Sequence, residues 1–363
     1  MKIGILTFHM ANNYGAVLQA YALKEAIGQL GENKDVNIVH YCSPNLKREY
    51  SLFYLGDGAL SDKFKKLFIK LRGLDTLLIK NAKFSAFRRK HLAIRGHVIC
   101  NYNRLSHYDV YIVGSDQVWN GEITDFDIAY FLPWKARKRI SYAASIGNSK
   151  INEYEMSYLK QNINNINCIS VREKSSVPIL ESLTDHKITQ VLDPTLLVEP
   201  EFWKRFITCN KSITKQQYIL VYMLTEDNVV IETALLASKL LSLPILYINN
   251  SKRQRSDGIR CARNVGPEEF VNLFYHSAYV VTNSFHGTAF SIIFQKDFIT
   301  IPHKSRGVRM LDLLEQCGLS DRIVTIPESS AKIIGEKVDY NLVNKRLIKL
   351  REDSMSFLIS ALN

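Results

Sequence analysis

Short apolar, β-rich runs alternate with amphipathic stretches along most of this 363-residue chain, and the alternation limits it to an α/β fold built on parallel sheets. The first set of runs is Ile3–Phe8, Val36–Tyr41, Val110–Val113, Ile140–Ala144, Cys168–Val171 and Ile188–Leu192. Each is short and mostly apolar, as strands covered on both faces must be. Helical patterns such as Gly15–Leu30 and Glu153–Ile163 lie between them. After Pro200 the pattern restarts with Tyr218–Met223, Ile245–Ile248, Tyr279–Thr282 and Phe298–Ile301, interleaved with helices over Val229–Leu241, after Pro267 and after His286. Strand and helix repeated in two sets predict two Rossmann-like halves. The N-terminal one covers 1–198 with a basic helical insertion at about 60–95; a linker over 199–217, a C-terminal half over 218–338 and a terminal helix over 339–363 complete the chain.

The composition fits a soluble globular protein. Apolar residues make up 46% and charged ones 23%, which excludes disorder and collagen-like repeats. No apolar run approaches the length of a membrane span, and the N-terminus lacks the pattern of a signal peptide, so the chain reads as cytoplasmic. The six cysteines include no CxxC pair, so no metal knuckle or redox motif is visible and reduced thiols are expected.

Net charge is +12, and it is unevenly placed. Between Asp62 and Arg95 eleven basic residues face two acids, so one segment carries 11 − 2 = +9 of the total. A nucleic-acid surface would spread its basic residues over a fold-wide patch, so nucleic acid is not the expected partner. Phe64, Leu67, Leu71, Leu74 and Leu78 fall at helical spacing, which predicts an amphipathic helix with a basic side. Such a helix is either an ordinary surface element or a peripheral contact with anionic lipid.

Five stretches can carry chemistry, each at the end of a predicted strand. Ligands of open α/β sheets bind beyond the C-terminal strand ends, where helix N-termini present N–H groups to anions. In Thr7–Ala16, residues Asn12, Asn13 and Gly15 suit a tight turn around a ligand, although Asn13 can equally cap the following helix. The spacing is not that of a dinucleotide fingerprint. In Val113–Asn120, Asp116 is placed for general-base or orienting work, or for an Asx turn. Arg172 directly follows the strand Cys168–Val171 and suits bidentate binding of carboxylate or phosphate, or an ion pair with an acid such as Asp193. In Val280–Ala289, His286 sits in a turn among Ser284, Gly287 and Thr288, small residues that let a ligand approach the backbone; the imidazole either exchanges protons there or serves the structure, as a lone histidine more often does. Ile301–Arg309 gathers His303, Arg306 and Arg309, a set that suits an anionic substrate or a solvated basic loop.

Read in order, FHMANNYGAVLQAYAL, VGSDQVWN, ISYAASIG, ISVREKSS, VLDPTLL, TNSFHGTAFSIIF and RGVRMLDLLEQCGL resemble the polysaccharide pyruvyl transferase family from about residue 3 to about residue 320. The resemblance implies two Rossmann-like domains facing a cleft, as in GT-B glycosyltransferases. It implies transfer of pyruvate from phosphoenolpyruvate to two hydroxyls of a sugar, giving a cyclic ketal in a cell-surface polysaccharide pathway. His286 matches the family's histidine and Arg172 its arginine after the N-domain strand. Many members have Arg-Leu-His where this chain has Ser284-Phe285-His286, so Arg306 or Arg309 has to supply the missing charge.

On that reading His286 and Asp116 are the catalytic candidates. Arg172, Arg306 and Arg309 neutralise the donor, and the Asn12–Asn13 turn helps orient a sugar that is free or lipid-linked. Arginine alone can meet the donor's charge, so neither a metal nor a separate cofactor is expected. A nucleotide-sugar glycosyltransferase and a non-catalytic binding protein of the same fold are the competing readings.

Overall fold

A computed structural model describes residues 1–51, 54, 74–147, 151–208, 216–249, 259–302 and 307–363. The chain divides into two compact units, one of Met1–Tyr54, Ala86–Val198 and Ile348–Asn363, the other of Leu55–Ser85 and Glu199–Leu347.

The first unit is a six-stranded parallel sheet of β1 (Lys2–Leu6), β2 (Asp35–Ile38), β3 (Val110–Val113), β4 (Lys138–Ala144), β5 (Cys168–Val171) and β6 (Ile188–Gln190), in the order β2-β1-β3-β4-β5-β6. β1 pairs with β3 in the register Ile3↔Val110 to Leu6↔Val113. Central strands of such a sheet are apolar on both faces because helices cover both, and Val110–Val113 is buried throughout. Strand order reverses between β1 and β3, the topological switch point where open α/β sheets leave a crevice.

The second unit is a five-stranded parallel sheet of β7 (Ile219–Tyr222), β8 (Ile245–Ile248), β9 (Arg260–Ala262), β10 (Tyr279–Thr282) and β11 (Asp297–Thr300), in the order β11-β10-β7-β8-β9. Its switch point lies between β7 and β10, paired from Tyr279↔Ile219 to Thr282↔Tyr222. Edge strand β9 has no apolar run to reveal it. The polar stretch 199–217 contains a helical turn, Pro200–Lys204, whose Trp203 is fully buried and meets Phe290 edge-on at 5.0 Å.

One helix departs from its sequence pattern. The described part of the basic segment forms the helix Leu74–His91. It buries Thr76, Phe84, Phe87 and Arg88, while Leu78 is 47% exposed. The buried stripe is thus set by contacts with Phe84 and Phe87, not by the Leu74 and Leu78 spacing; Phe64, Leu67 and Leu71 lie outside the described residues. Lys83 pairs with Glu269, so one of the basic side chains already has an internal partner. The terminal helix Tyr340–Leu362 returns to the first unit, where Arg351 Nε donates to the Leu196 carbonyl at 2.7 Å and Ser354 Oγ accepts the Leu192 amide at 3.0 Å. Among the described residues no helix is long and apolar enough to cross a membrane.

Candidate active site

The loop after β1 is built around buried polar groups. Thr7 Oγ1 donates to the Ser115 carbonyl at 2.9 Å and accepts from Gln19 Nε2 at 2.9 Å, tying the ends of β1 and β3 to the helix Tyr14–Gly28. His9 is fully buried, with Nδ1 3.1 Å from the Thr7 carbonyl and Nε2 3.0 Å from His40 Nδ1. Burial, with His40 and Arg88 adding to it, lowers the His9 pKa to about 3. Arg88 Nη1 donates to the Met10 carbonyl at 3.2 Å, the Ala11 carbonyl at 3.4 Å and Asn12 Oδ1 at 3.1 Å. Asn13 caps the helix by accepting the Ala16 amide at 3.2 Å, and Gly15 is buried in its first turn. The Asn12 and Asn13 side chains therefore serve the turn itself.

The turn after β3 is pinned from two sides. Asp193, at the N-terminus of the short helix Pro194–Leu197, accepts Thr195 N at 2.9 Å and Thr195 Oγ1 at 2.7 Å on Oδ1. Its Oδ2 accepts Arg172 Nη1 at 2.9 Å and Ser115 Oγ at 3.2 Å. The Arg172 and Asp193 side chains are 3% and 0% exposed. Burial works against the Arg172 charge, but the carboxylates of Asp193, Asp116 and Glu173 outweigh it and raise the pKa. Asp116 itself is half-buried, with a φ of +85° that non-glycine residues seldom adopt. Its carbonyl accepts the amides of Val118 at 2.8 Å and Ser145 at 3.0 Å.

In the second unit the end of β10 meets the helix Phe285–Ile293. Thr282 Oγ1 donates to the Tyr222 carbonyl at 2.6 Å and accepts the Ser284 amide at 3.1 Å, joining the two switch-point strands. Ser284 caps the helix by accepting Gly287 N at 3.4 Å. A Cβ on Gly287 would stand 2.2 Å from Thr282 Oγ1, so only glycine allows helix and strand to approach this closely. Thr288, fully buried, shares a hydrogen bond with Thr300 Oγ1 at 2.9 Å. His286 lies in the first turn, 8% exposed, at the end of the helix whose dipole favours anions. Arg309 is half-buried in the first turn of Val308–Cys317, the helix following β11. His303 and Arg306 lie outside the described residues.

The structure thus gathers the candidate residues into two groups, each at the C-terminal strand ends of its own sheet. Asn12, Asn13, Gly15, Asp116 and Arg172 form one; Ser284, His286, Gly287, Thr288 and Arg309 form the other. Sequence reading missed Arg88, hidden in the basic segment, and Asn283, overshadowed by its histidine neighbour. It also missed the contact between buried His9 and half-buried His40. Among the described residues no group of three or more His, Cys, Asp or Glu side chains is placed to hold a metal ion.

The Polysaccharide pyruvyl transferase family matches residues 13–305. A comparison with curated protein sequences gives no significant match. Among solved structures, a protein from Listeria monocytogenes assigned as a UDP-N-acetylglucosamine 2-epimerase aligns over 98% of this chain and 90% of its own, at 11% identity and a TM-score of 0.50. The UDP-GlcNAc 2-epimerase of Methanocaldococcus jannaschii, in complex with UDP-GlcNAc and UDP, aligns over 97% of this chain and 100% of its own, at 13% identity and a TM-score of 0.49. At such identities the likeness concerns the fold alone, two Rossmann-like units of GT-B type. Because the family match spans most of the chain, the protein belongs to the polysaccharide pyruvyl transferase family and is a transferase.

Proposed function

We propose that this transferase moves pyruvate from phosphoenolpyruvate onto two hydroxyls of a sugar, forming a cyclic ketal during synthesis of a cell-surface polysaccharide. The family match over residues 13–305 is the observation that carries this reading. One acceptor hydroxyl adds to C2 of the donor as C3 gains a proton. The second hydroxyl then closes the ketal as phosphate leaves, and the protons lost by the two hydroxyls balance the one taken by C3 and the one taken by phosphate.

His286 is the proton donor to C3 in this scheme, and its place in the first turn of a helix supports the role by bringing an imidazole to a site favourable to anions. Ser284 is committed to capping that helix, so the donor's charge falls to Arg309 and Arg306. His303 joins them in the same stretch of sequence, and the backbone around Gly287 and Thr288 takes the phosphate. Asp116, with the Asn12–Asn13 turn and Gly15, orients the sugar. A lipid-linked acceptor and a peripheral contact of the basic segment of about 62–95 with the inner membrane surface belong to the same reading.

The test incubates purified protein with phosphoenolpyruvate and a panel of free, nucleotide-linked and lipid-linked sugars. Phosphate release together with a pyruvyl mass gain on one acceptor is the expected result. Release of nucleotide would indicate glycosyl transfer instead, and thermal stabilisation by phosphoenolpyruvate without turnover would indicate a binding protein.

A further inference from the structure

Asp193 and Ser115 are buried, and the pyruvyl-transfer scheme uses neither. Asp193 reaches across the sheet from the end of β6 to the turn after β3, and on the way it holds Arg172 at the end of β5. Ser115 is the link, since its hydroxyl donates to Asp193 at 3.2 Å while its carbonyl accepts Thr7 Oγ1 at 2.9 Å. The next residue is Asp116, in left-handed backbone, whose carboxylate Oδ1 accepts the Gln117 amide at 2.9 Å. A turn held on both sides in this way is set by its clamps, and the strongest of them is a charge-assisted pair shielded from water.

We propose that Asp193 is a positioning residue which, through Ser115, fixes the turn that presents Asp116 to the acceptor sugar, with Arg172 as its counter-charge. This assignment rests on the pyruvyl-transfer reading for its consequence but not for its geometry. It moves Arg172 out of the donor site, because a substrate anion would have to displace Asp193 from a guanidinium that is 3% exposed.

Removing one member of a buried ion pair destabilises a fold strongly, so Asp193→Asn is paired with the milder Ser115→Ala. Backbone exchange reads the clamp without any substrate. The amides of Val118 and Ser145, both donated to the Asp116 carbonyl, should exchange faster in both variants while Thr288 of the second unit stays unchanged. With substrates, Ser115→Ala should lower kcat by about 10- to 100-fold, the range of a misplaced reacting group, and leave phosphoenolpyruvate binding within about twofold, far below the tenfold that one lost hydrogen bond to a charged group gives. The double variant Ser115→Ala/Asp116→Asn should be no slower than Asp116→Asn alone.

Unchanged exchange at Val118 and Ser145 overturns the proposal. So does a rate unmoved by Asp116→Asn, multiplication of the two effects in the double variant, or a large loss of phosphoenolpyruvate affinity in Arg172→Lys that Ser115→Ala does not share. If the unaltered protein releases no phosphate from phosphoenolpyruvate with any acceptor, the pyruvyl-transfer reading fails instead, and the exchange measurement alone decides the clamp.

Discussion

Asn283 Oδ1 accepts the amide of Leu224 at 3.0 Å, and its Nδ2 donates to the Thr225 carbonyl at 3.0 Å. One side chain at the end of β10 therefore closes the loop that follows β7, on the opposite side of the second unit's switch point. Replacing it with alanine removes both bonds of a side chain that is itself 6% exposed. Asn283→Ala should cost about 1–3 kcal/mol, the net loss of two hydrogen bonds at about 0.5–1.5 kcal/mol each, seen as a lower urea midpoint with an unchanged slope. A midpoint within error of the unaltered protein would show that the loop holds itself.

His286→Ala tests the proton donor. The expected loss in pyruvyl transfer is about 10²–10⁴-fold, the usual contribution of general acid–base catalysis, with the thermal unfolding midpoint nearly preserved. A loss under about tenfold would remove His286 from the chemistry.

Gly287→Ala should destabilise the second unit by about 1–3 kcal/mol, because the new methyl group meets the Thr282 side chain and overpacks the seam between helix and strand. Adding Thr282→Ala removes the nearest atom and should restore part of the loss. Thermal unfolding of the single and double variants measures both. Full additivity of the two losses would rule out the steric explanation.

The central strands were legible because parallel strands buried on both faces read as unbroken apolar runs: Val110–Val113, Ile219–Tyr222 and Tyr279–Thr282 carry that signal in their own residues. β9 carries none, since the edge strand Arg260–Ala262 has little to bury. The site was legible as a set of strand ends, because turn chemistry is local. What each polar residue does there was not. Arg172 and Asp193 lie 21 residues apart and meet only once β5 and β6 pair, so the sequence leaves an ion pair and an anion ligand equally open. Arg88 was masked by its basic neighbours, and only the folded loop after β1 shows three acceptors facing it.

The His9–His40 contact makes the first unit sensitive to acid. Burial, reinforced by His40 and Arg88, holds the His9 pKa at about 3 against 6.5 for the free side chain, and burial also lowers that of His40. As pH falls below about 6.5 the unfolded chain takes up the His9 proton first, so the stabilising contribution is complete above that value and declines toward about pH 3. His9 adds a slope of up to about 1.4 kcal/mol per pH unit in this window. His9→Gln carries no titrating ring and should show a shallower fall in its urea midpoint between about pH 6 and pH 4 than the unaltered protein, whatever its absolute stability. Parallel pH profiles for the two proteins would mean that His9 takes its proton in the folded state, and that its contact with His40 opens on acidification before the unit unfolds.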